Sequence, residues 1–356
     1  MKILILKPSS LGDVVQAMPV LRLIKSHLPA SEIHWWIDAN LAPLLEGDPD
    51  LAGVVLFDRK QWAEPRHWKE TWRSVQWMRQ QNFDWVIDLQ SLTRSGVFAW
   101  LANGHFTVGL DEQREVGRGF YDLVVRRNSF CTHAVDWYLE VLPLLGVPRH
   151  WNFSWLPARP EIAAAVRAKW PVAGARWILL QPGARWLNKR WPAEFFAELV
   201  RQLAVAHADF RFAILGSDDE RPLGEAISRA VESRCLDLTG RLSLPEMVEW
   251  IRLAELIVAN DTGPLHVAAA LGTPVVALFG PTEPSRNGPY RQLEHVLQLE
   301  LPCVPCRKPH CTYVKPLECL RALQPATVFK AAQSRLEARA EARASSLVSP
   351  ERNFQP

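Results

Sequence analysis

The sequence contains no apolar run of the ~18 residues that a membrane-spanning helix requires. It also lacks a strong charge of either sign. The net charge is +3 over 356 residues, too small to argue for a nucleic-acid partner. Cysteine is scarce, with six residues, and in a reducing compartment disulfides are not the default for them. The opening segment, residues 1–7, has too short an apolar stretch for a signal peptide and no small-residue cleavage site. It reads instead as a first buried strand, and the chain is expected to stay in the cytoplasm. What is present is the composition of a soluble globular protein, 48% hydrophobic and 22% charged. The chain is too long for one ordinary core, so two domains are expected.

The patterning alternates strand and helix almost throughout. Strand-like runs at residues 3–6, 33–37, 54–57, 85–89 and 107–109 are interleaved with helical patterns at 12–28, 93–102 and 134–145, and a long basic helix precedes residue 85. The rhythm breaks at 146–172, where four prolines leave only a short helix near 161–169, and a linker is expected there. A second series follows: strand 177–180, helix 192–206, strand 210–215, helix 220–232, a short strand at 236–238, and helix 244–253. This is the pattern of doubly wound parallel sheets. The expected division is a domain over 1–158, a second over 170–330, and a C-terminal helix with a disordered tail over 331–356.

One stretch carries the most chemical information. Asn260-Asp261-Thr262-Gly263-Pro264-Leu265-His266 lies between a strand-like run at 254–259 and an apolar helix at 267–271 that stops at Gly272, with another strand at 274–280. Such a βαβ unit presents unpaired N–H groups and partial positive charge at its helix N-terminus, where a diphosphate can sit. A second candidate is the loop Gln181-Pro182-Gly183-Ala184-Arg185-Trp186-Leu187-Asn188-Lys189-Arg190-Trp191-Pro192. Arg185, Lys189 and Arg190 concentrate positive charge at a strand end, as a solvated basic loop or as a phosphate clamp. The third is Lys7-Pro8-Ser9-Ser10-Leu11-Gly12-Asp13-Val14. Here Ser9 or Ser10 can cap a helix, and Gly12 allows close approach to a ligand. Asp13 is either a structural first-turn carboxylate or a general base at a strand-end cleft.

Five motifs occurring in order resemble the bacterial lipopolysaccharide heptosyltransferases, family 9 glycosyltransferases. They are Lys-Pro-Ser-Ser-Leu-Gly-Asp-Val at 7–14, Asp-Leu-Gln-Ser-Leu-Thr-Arg-Ser at 88–95, Lys-Arg-Trp-Pro at 189–192, Asp-Thr-Gly-Pro-Leu-His at 261–266 and Phe-Gly-Pro-Thr-Glu-Pro at 279–284. The resemblance implies a GT-B fold, two Rossmann-like domains facing each other across a cleft, followed by a C-terminal helix. The first would bind the acceptor and the second ADP-heptose. It implies inverting transfer of L-glycero-D-manno-heptose from ADP-heptose to the Kdo or heptose inner core of lipopolysaccharide, by a first- or second-heptose type of enzyme. By the family pattern Asp13 would be the base and Lys189 would stabilise the leaving diphosphate. Asp261 would hold the heptose hydroxyls, with Thr262, Gly263 and His266 around the diphosphate and no catalytic metal. Gly183, Arg185 and Glu220 would complete donor binding, and Ser10, Gly12, Arg59 and Lys60 acceptor binding. Paired threonines that some relatives carry are replaced here by Gly183-Ala184, so backbone N–H groups or Arg185 would have to substitute. Helix capping by Asp218 or Asp219 stands beside a nucleoside role for Glu220.

Two further clusters stand apart. Arg59, Lys60, Trp62, Arg66, Trp68, Lys69, Trp72, Arg73, Trp77 and Arg79 interleave basic residues with tryptophan. That suits the headgroup layer of the inner leaflet, where a Kdo-lipid A acceptor would reside, and it equally suits an amphipathic helix with Trp turned inward. Cys303, Cys306, Cys311 and Cys319 have a spacing compatible with a structural zinc or iron site, with reduced thiols the other reading. Cys131 and Cys235 are expected in the core. Two rival functions fit the same residues: a family 9 enzyme acting on an outer-core sugar or a protein, and a non-catalytic nucleotide-sugar binding protein.

Overall fold

Central strands built almost wholly of Ile, Leu, Val and Ala, as in Ile3–Leu6 and Leu256–Asn260, are buried on both faces. Parallel sheets covered by helices on each side demand that composition. The computed structural model describes residues 1–58, 68–112 and 118–348, and the chain divides into two compact units, Met1–Ala158 and Arg159–Pro356.

In the first unit the strands are β1 (Lys2–Leu6), β2 (Glu32–Asp38), β3 (Gly53–Phe57), β4 (Trp85–Asp88), β5 (Phe106–Asp111) and β6 (Leu123–Arg126). They form one parallel sheet in the order β3-β2-β1-β4-β5-β6. Its helices are α1 (Leu11–His27), α2 (Trp68–Gln80), α3 (Thr93–Ala102), α4 (Ala134–Leu139) and α5 (Val141–Leu144). Trp36, Phe57, Val75, Met78 and Phe83 fill the space between sheet and helices.

The second unit repeats the plan. Helix α6 (Pro160–Lys169) leads into β7 (Arg176–Gln181), α7 (Ala193–Ala206), β8 (Phe210–Ile214), α8 (Arg221–Ser228), β9 (Cys235–Asp237) and α9 (Leu244–Leu253). Then come β10 (Leu256–Asn260), α10 (Gly263–Leu271), β11 (Val275–Phe279), α11 (Pro284–Asn287), β12 (Val296–Gln298), α12 (Glu318–Arg321) and α13 (Pro325–Val348). The order β12-β11-β10-β7-β8-β9, all parallel, is the same 3-2-1-4-5-6 winding. In each unit the strand order reverses between the first and fourth strands. Loops diverge there beyond the strand ends, which is where such sheets hold ligands. This is the doubly wound α/β architecture, with its C-terminal helix, that the sequence pattern leads one to expect.

Several boundaries differ from the sequence expectation. Helix α10 starts at Gly263 rather than 267, because Pro264 is compatible with a first helical turn, where its missing N–H costs nothing. The segment expected as one helix over 134–145 is two short ones joined at Glu140. The helix expected over 220–232 is shorter, preceded by a 3-10 turn at Asp218–Glu220 and ending at Ser228. The final helix begins at Pro325, where its Ala/Arg/Glu-rich pattern begins, and Val328, Ala332 and Leu336 on it are part of the second unit's core. The tail expected from residue 345 is helical through Val348, and the rest of it lies outside the described residues. Among those residues no helix is long and apolar enough to cross a membrane.

Candidate active site

At the switch point of the second unit two loops are tied together by one amide. Asn260, fully buried at the end of β10, accepts a hydrogen bond from the Trp191 backbone N–H (3.1 Å) and donates to the Pro182 carbonyl (2.7 Å). Loop 182–190 is thereby held against the Asp261 turn from both its ends. Within it, a 3-10 turn at Leu187–Lys189 turns the Lys189 side chain back toward β10. Lys189 Nζ donates to Asp261 Oδ2 at 2.7 Å, and Thr282 Oγ1 donates to the same oxygen at 2.6 Å. His266 Nε2 lies 3.8 Å from Asp261 Oδ1, within ionic reach. Gln298 Nε2 donates to the carbonyls of Gly280 (2.9 Å) and Thr282 (2.7 Å), which fixes the turn that carries Thr282.

Burial works to raise the pKa of Asp261, but His266 and Lys189 overcome it and hold the carboxyl well below the usual carboxylate range. The carboxylate is therefore a fixed negative charge that anchors a cation. Thr262 is the N-cap of α10, and Gly263 opens the helix. An ammonium and a helix N-terminus on adjoining turns form an anion-binding arrangement suited to a diphosphate.

A second cluster lies on the other side of loop 182–190. The Glu220 carboxylate accepts from the Ser217 N–H (3.0 Å) and from Arg190 Nη2 (3.3 Å), while Arg190 Nε donates to the Ala184 carbonyl (2.8 Å). Gly183 has to be glycine here, because a Cβ would fall 2.0 Å from the Glu220 carboxyl. Arg185 is exposed and forms no ion pair among the described residues. Arg190, not Arg185, is the guanidinium that the fold engages.

In the first unit, Asp13 sits in the first turn of α1 and its Oδ2 accepts from both the backbone N–H (2.9 Å) and the hydroxyl (2.6 Å) of Ser10. The capping arrangement considered from sequence is thus present, and Gly12 beside it is buried. Just after β1, Lys7 is only 3% exposed; its Nζ donates to the Leu89 carbonyl (2.9 Å) and stands 4.7 Å from the centre of the Tyr138 ring. Asp88, fully buried, accepts from the Gln90 N–H (2.8 Å) and the Tyr121 hydroxyl (2.8 Å).

Lys7, Asn260, Thr282 and Arg190 all fall within motifs visible in the sequence, yet their contacts are long-range and carry no local signal. Arg59 and Lys60 lie outside the described residues. On α2, Trp68 and Trp72 are 65% and 54% exposed. Trp68 and Trp72 therefore point outward, contrary to the inward alternative, while Trp77 packs on His34 and Phe83, and Val75 and Met78 are what the helix buries.

The structural metal site has no support among the described residues. Among the described residues no three His, Cys, Asp or Glu side chains are grouped to hold a metal ion, and Cys303, Cys306, Cys311 and Cys319 are free thiols. Cys319 is instead a core residue packed at Gly280 and Leu320, and burial, with the neighbouring Cys311, Cys303 and Cys306, pushes its thiol up to about 11. Cys311 Sγ accepts from the Leu317 N–H at 3.3 Å. Cys131 is exposed rather than in the core, and Cys235 is half-buried.

Comparison with known proteins gives this geometry a family. The profile of glycosyltransferase family 9 (heptosyltransferase) matches residues 71–316. The chain is 30% identical over 336 residues to lipopolysaccharide heptosyltransferase 1 of Pseudomonas aeruginosa, covering 88% of each. Its fold is similar to that of Escherichia coli ADP-heptose lipopolysaccharide heptosyltransferase II, with a TM-score of 0.77 at 22% identity over 96% of this chain and 100% of that one. It is also similar to an Escherichia coli heptosyltransferase solved with ADP-2-deoxy-2-fluoro heptose, with a TM-score of 0.73 at 23% identity over 94% and 99% of the two chains. With a profile matched over most of its length and a relative this similar, the chain belongs to glycosyltransferase family 9, the heptosyltransferases.

Proposed function

We propose that the protein transfers L-glycero-D-manno-heptose, with inversion, from ADP-heptose to the Kdo or heptose inner core of lipopolysaccharide. The observation that carries this reading is the Lys189–Asp261–Thr282 cluster at the switch point of the second unit, beside the N-terminus of α10. The Asp13 carboxylate takes the proton of the acceptor hydroxyl as that oxygen attacks the anomeric carbon. The bond from that carbon to the diphosphate oxygen breaks, and ADP leaves with the bonding pair. Lys189 and the helix end, with Thr262, Gly263 and His266 around it, stabilise the charge that develops on the diphosphate. Asp261 keeps Lys189 in place and accepts from the heptose hydroxyls. Gly183 and Glu220 bound the nucleoside end, with Arg185 free to swing in from solvent. Ser10 and Gly12 line the acceptor side, with Arg59 and Lys60 assigned there by family pattern alone.

The fixed positive charge does what a divalent cation does in other sugar transferases, so turnover is expected to persist in a chelator. Exposed Trp68 and Trp72 beside Lys69 and Arg73 support peripheral docking on an anionic lipid surface, where a Kdo-lipid A acceptor is presented. The test is ADP release and product mass with ADP-heptose and a panel of acceptors: Kdo-lipid A, heptosyl-Kdo-lipid A and an outer-core oligosaccharide. Heptose appearing on either inner-core acceptor is the expected result. Transfer only to the outer-core acceptor would replace the acceptor assignment, and no transfer to any of them would overturn the reading.

A further inference from the structure

The turn Asp88-Leu89-Gln90-Ser91 leads from β4 toward α3, and the reaction described above uses none of it. Its backbone is firmly tied. The Leu89 N–H donates to the Leu6 carbonyl (3.0 Å) and the Leu89 carbonyl accepts from Lys7 Nζ (2.9 Å), which binds the end of β4 to the end of β1. The Asp88 carboxyl takes the Gln90 N–H on one oxygen and the Tyr121 hydroxyl on the other, each at 2.8 Å. Tyr121 is itself seated against glycine: its ring lies 2.5 Å from where a Cβ at Gly109 would stand, and its hydroxyl 2.9 Å from where one at Gly96 would. Ser91 then adopts a left-handed φ of +58°, which turns the chain sharply ahead of the helix.

One atom of this tied turn is left over. Gln90 Oε1 is buried and has no hydrogen-bond partner among the described residues, while the residue as a whole is only half-buried. A dry, unpaired amide oxygen costs free energy that an apolar side chain of similar size would not. The oxygen is uncharged and only accepts, so it suits an O–H or N–H donor and not a phosphate or a carboxylate. Its terminal torsion is soft, and the amide can turn the oxygen toward the exposed side. Gln90 follows β4, and the turn that carries Asp13 follows β1, its neighbour in the sheet; the switch point of the first unit lies between these two strands. From this placement we infer that Gln90 is a specificity-determining residue whose amide oxygen accepts a hydrogen bond from a hydroxyl of the acceptor sugar. The inference rests on the first unit binding the acceptor, and its test separates the two claims.

Calorimetry on the full-length protein measures binding of ADP, of deacylated Kdo-lipid A and of its heptosylated form to wild type, Gln90→Met and Gln90→Glu. Methionine keeps the volume and loses the acceptor atom, whereas glutamate keeps an acceptor oxygen. Gln90→Met should weaken acceptor binding about 10- to 100-fold with ADP affinity unchanged, and Gln90→Glu should recover most of the loss. The denaturant midpoint of Gln90→Met should be unchanged or raised, because the free protein loses no hydrogen bond. Should that variant fail to fold, Gln90→Ala takes its place in both measurements. Among acceptor analogues that each lack one hydroxyl, one should bind wild type and Gln90→Met equally, which identifies the hydroxyl. A lowered midpoint with unchanged acceptor affinity assigns Gln90 a structural role and overturns the inference. Equal acceptor affinity in wild type and variant overturns it too, with the proposed function left standing, whereas a wild type that binds neither acceptor overturns both.

Discussion

The two units share one winding and place different charges at its switch point. Around the first switch point Lys7 and the Asp88 carboxyl are both buried, and a more accessible charge is the half-buried carboxylate of Asp13. Around the second the buried ion is a carboxylate, Asp261, and the accessible one is the cation Lys189, whose side chain keeps 19% exposure. In each case the deep charge is hydrogen-bonded by the scaffold, and the outer charge stands in the loop or first helical turn that follows a strand end. A single topology can thus carry an accessible carboxylate after one strand end and an accessible ammonium after another, because the charge at the strand end is chosen independently of the sheet that carries it.

The sharpest way to break the comparison is to remove each outer charge in turn. Asp13→Ala is expected to lower kcat by about 10²–10⁴-fold with donor affinity retained, measured by steady-state ADP release and by ADP titration. Because the same change deletes the Ser10 cap, it should also cost about 1 kcal/mol in denaturant unfolding. Lys189→Ala should lower kcat/KM by about 10²–10³-fold. It also leaves the buried Asp261 carboxylate without its cation, and the unfolding free energy should fall by about 2–3 kcal/mol, less than for a fully buried pair because Lys189 is partly solvated. Gly183→Ala tests the packing between those charges and the nucleoside end. Its methyl must displace Glu220, at a cost of about 1–3 kcal/mol and with a raised donor KM but a smaller change in kcat.

The buried carboxylates should also respond oppositely to acid. Asp261 has a depressed pKa, so its contribution to stability is complete above the unfolded value of about 3.9 and is lost as pH falls below it. Burial pushes Asp88 up, so its contribution is present below the unfolded value and is lost as pH rises through the folded one. Denaturant midpoints taken from pH 2 to 6 should therefore change slope in opposite senses in Asp261→Asn and Asp88→Asn. The smallest effect belongs to the outer face of α2. Trp68→Ala with Trp72→Ala should leave stability within about 0.5 kcal/mol while weakening binding to anionic vesicles, as measured by co-sedimentation at two salt concentrations.

The alternation of apolar runs with helical patterns made both sheets legible, because a strand buried on two faces has almost no polar residues to disguise it. Two of the four edge strands, β6 and β12, were not legible in the same way. β6, at the open side of the first sheet, has only Val125 buried, and β12 is three half-buried residues, so neither has the uninterrupted apolar run that marks a central strand. The residues at the strand ends could be picked out as loop chemistry, but their partners could not. Asp261 meets Thr282 across 21 positions and Lys189 across 72, separations that only the closed sheet bridges. Gly183 reads from sequence as half of a Gly-Ala pair where some relatives carry threonines, and only the position of Glu220 shows it as a steric requirement. The cysteine spacing was limited for a related reason: it constrains which thiols can meet, but it does not show that one of them, Cys319, is packed into the core of the second unit.

The amide of Asn260 has a consequence for engineering. Because it grips loop 182–190 at Pro182 and again at Trp191, that loop is not an independent cassette. Any attempt to graft it from a relative with different donor preference must bring along a side chain at 260 that can both give and receive, or the transplanted segment will lose its register with the turn it is meant to serve.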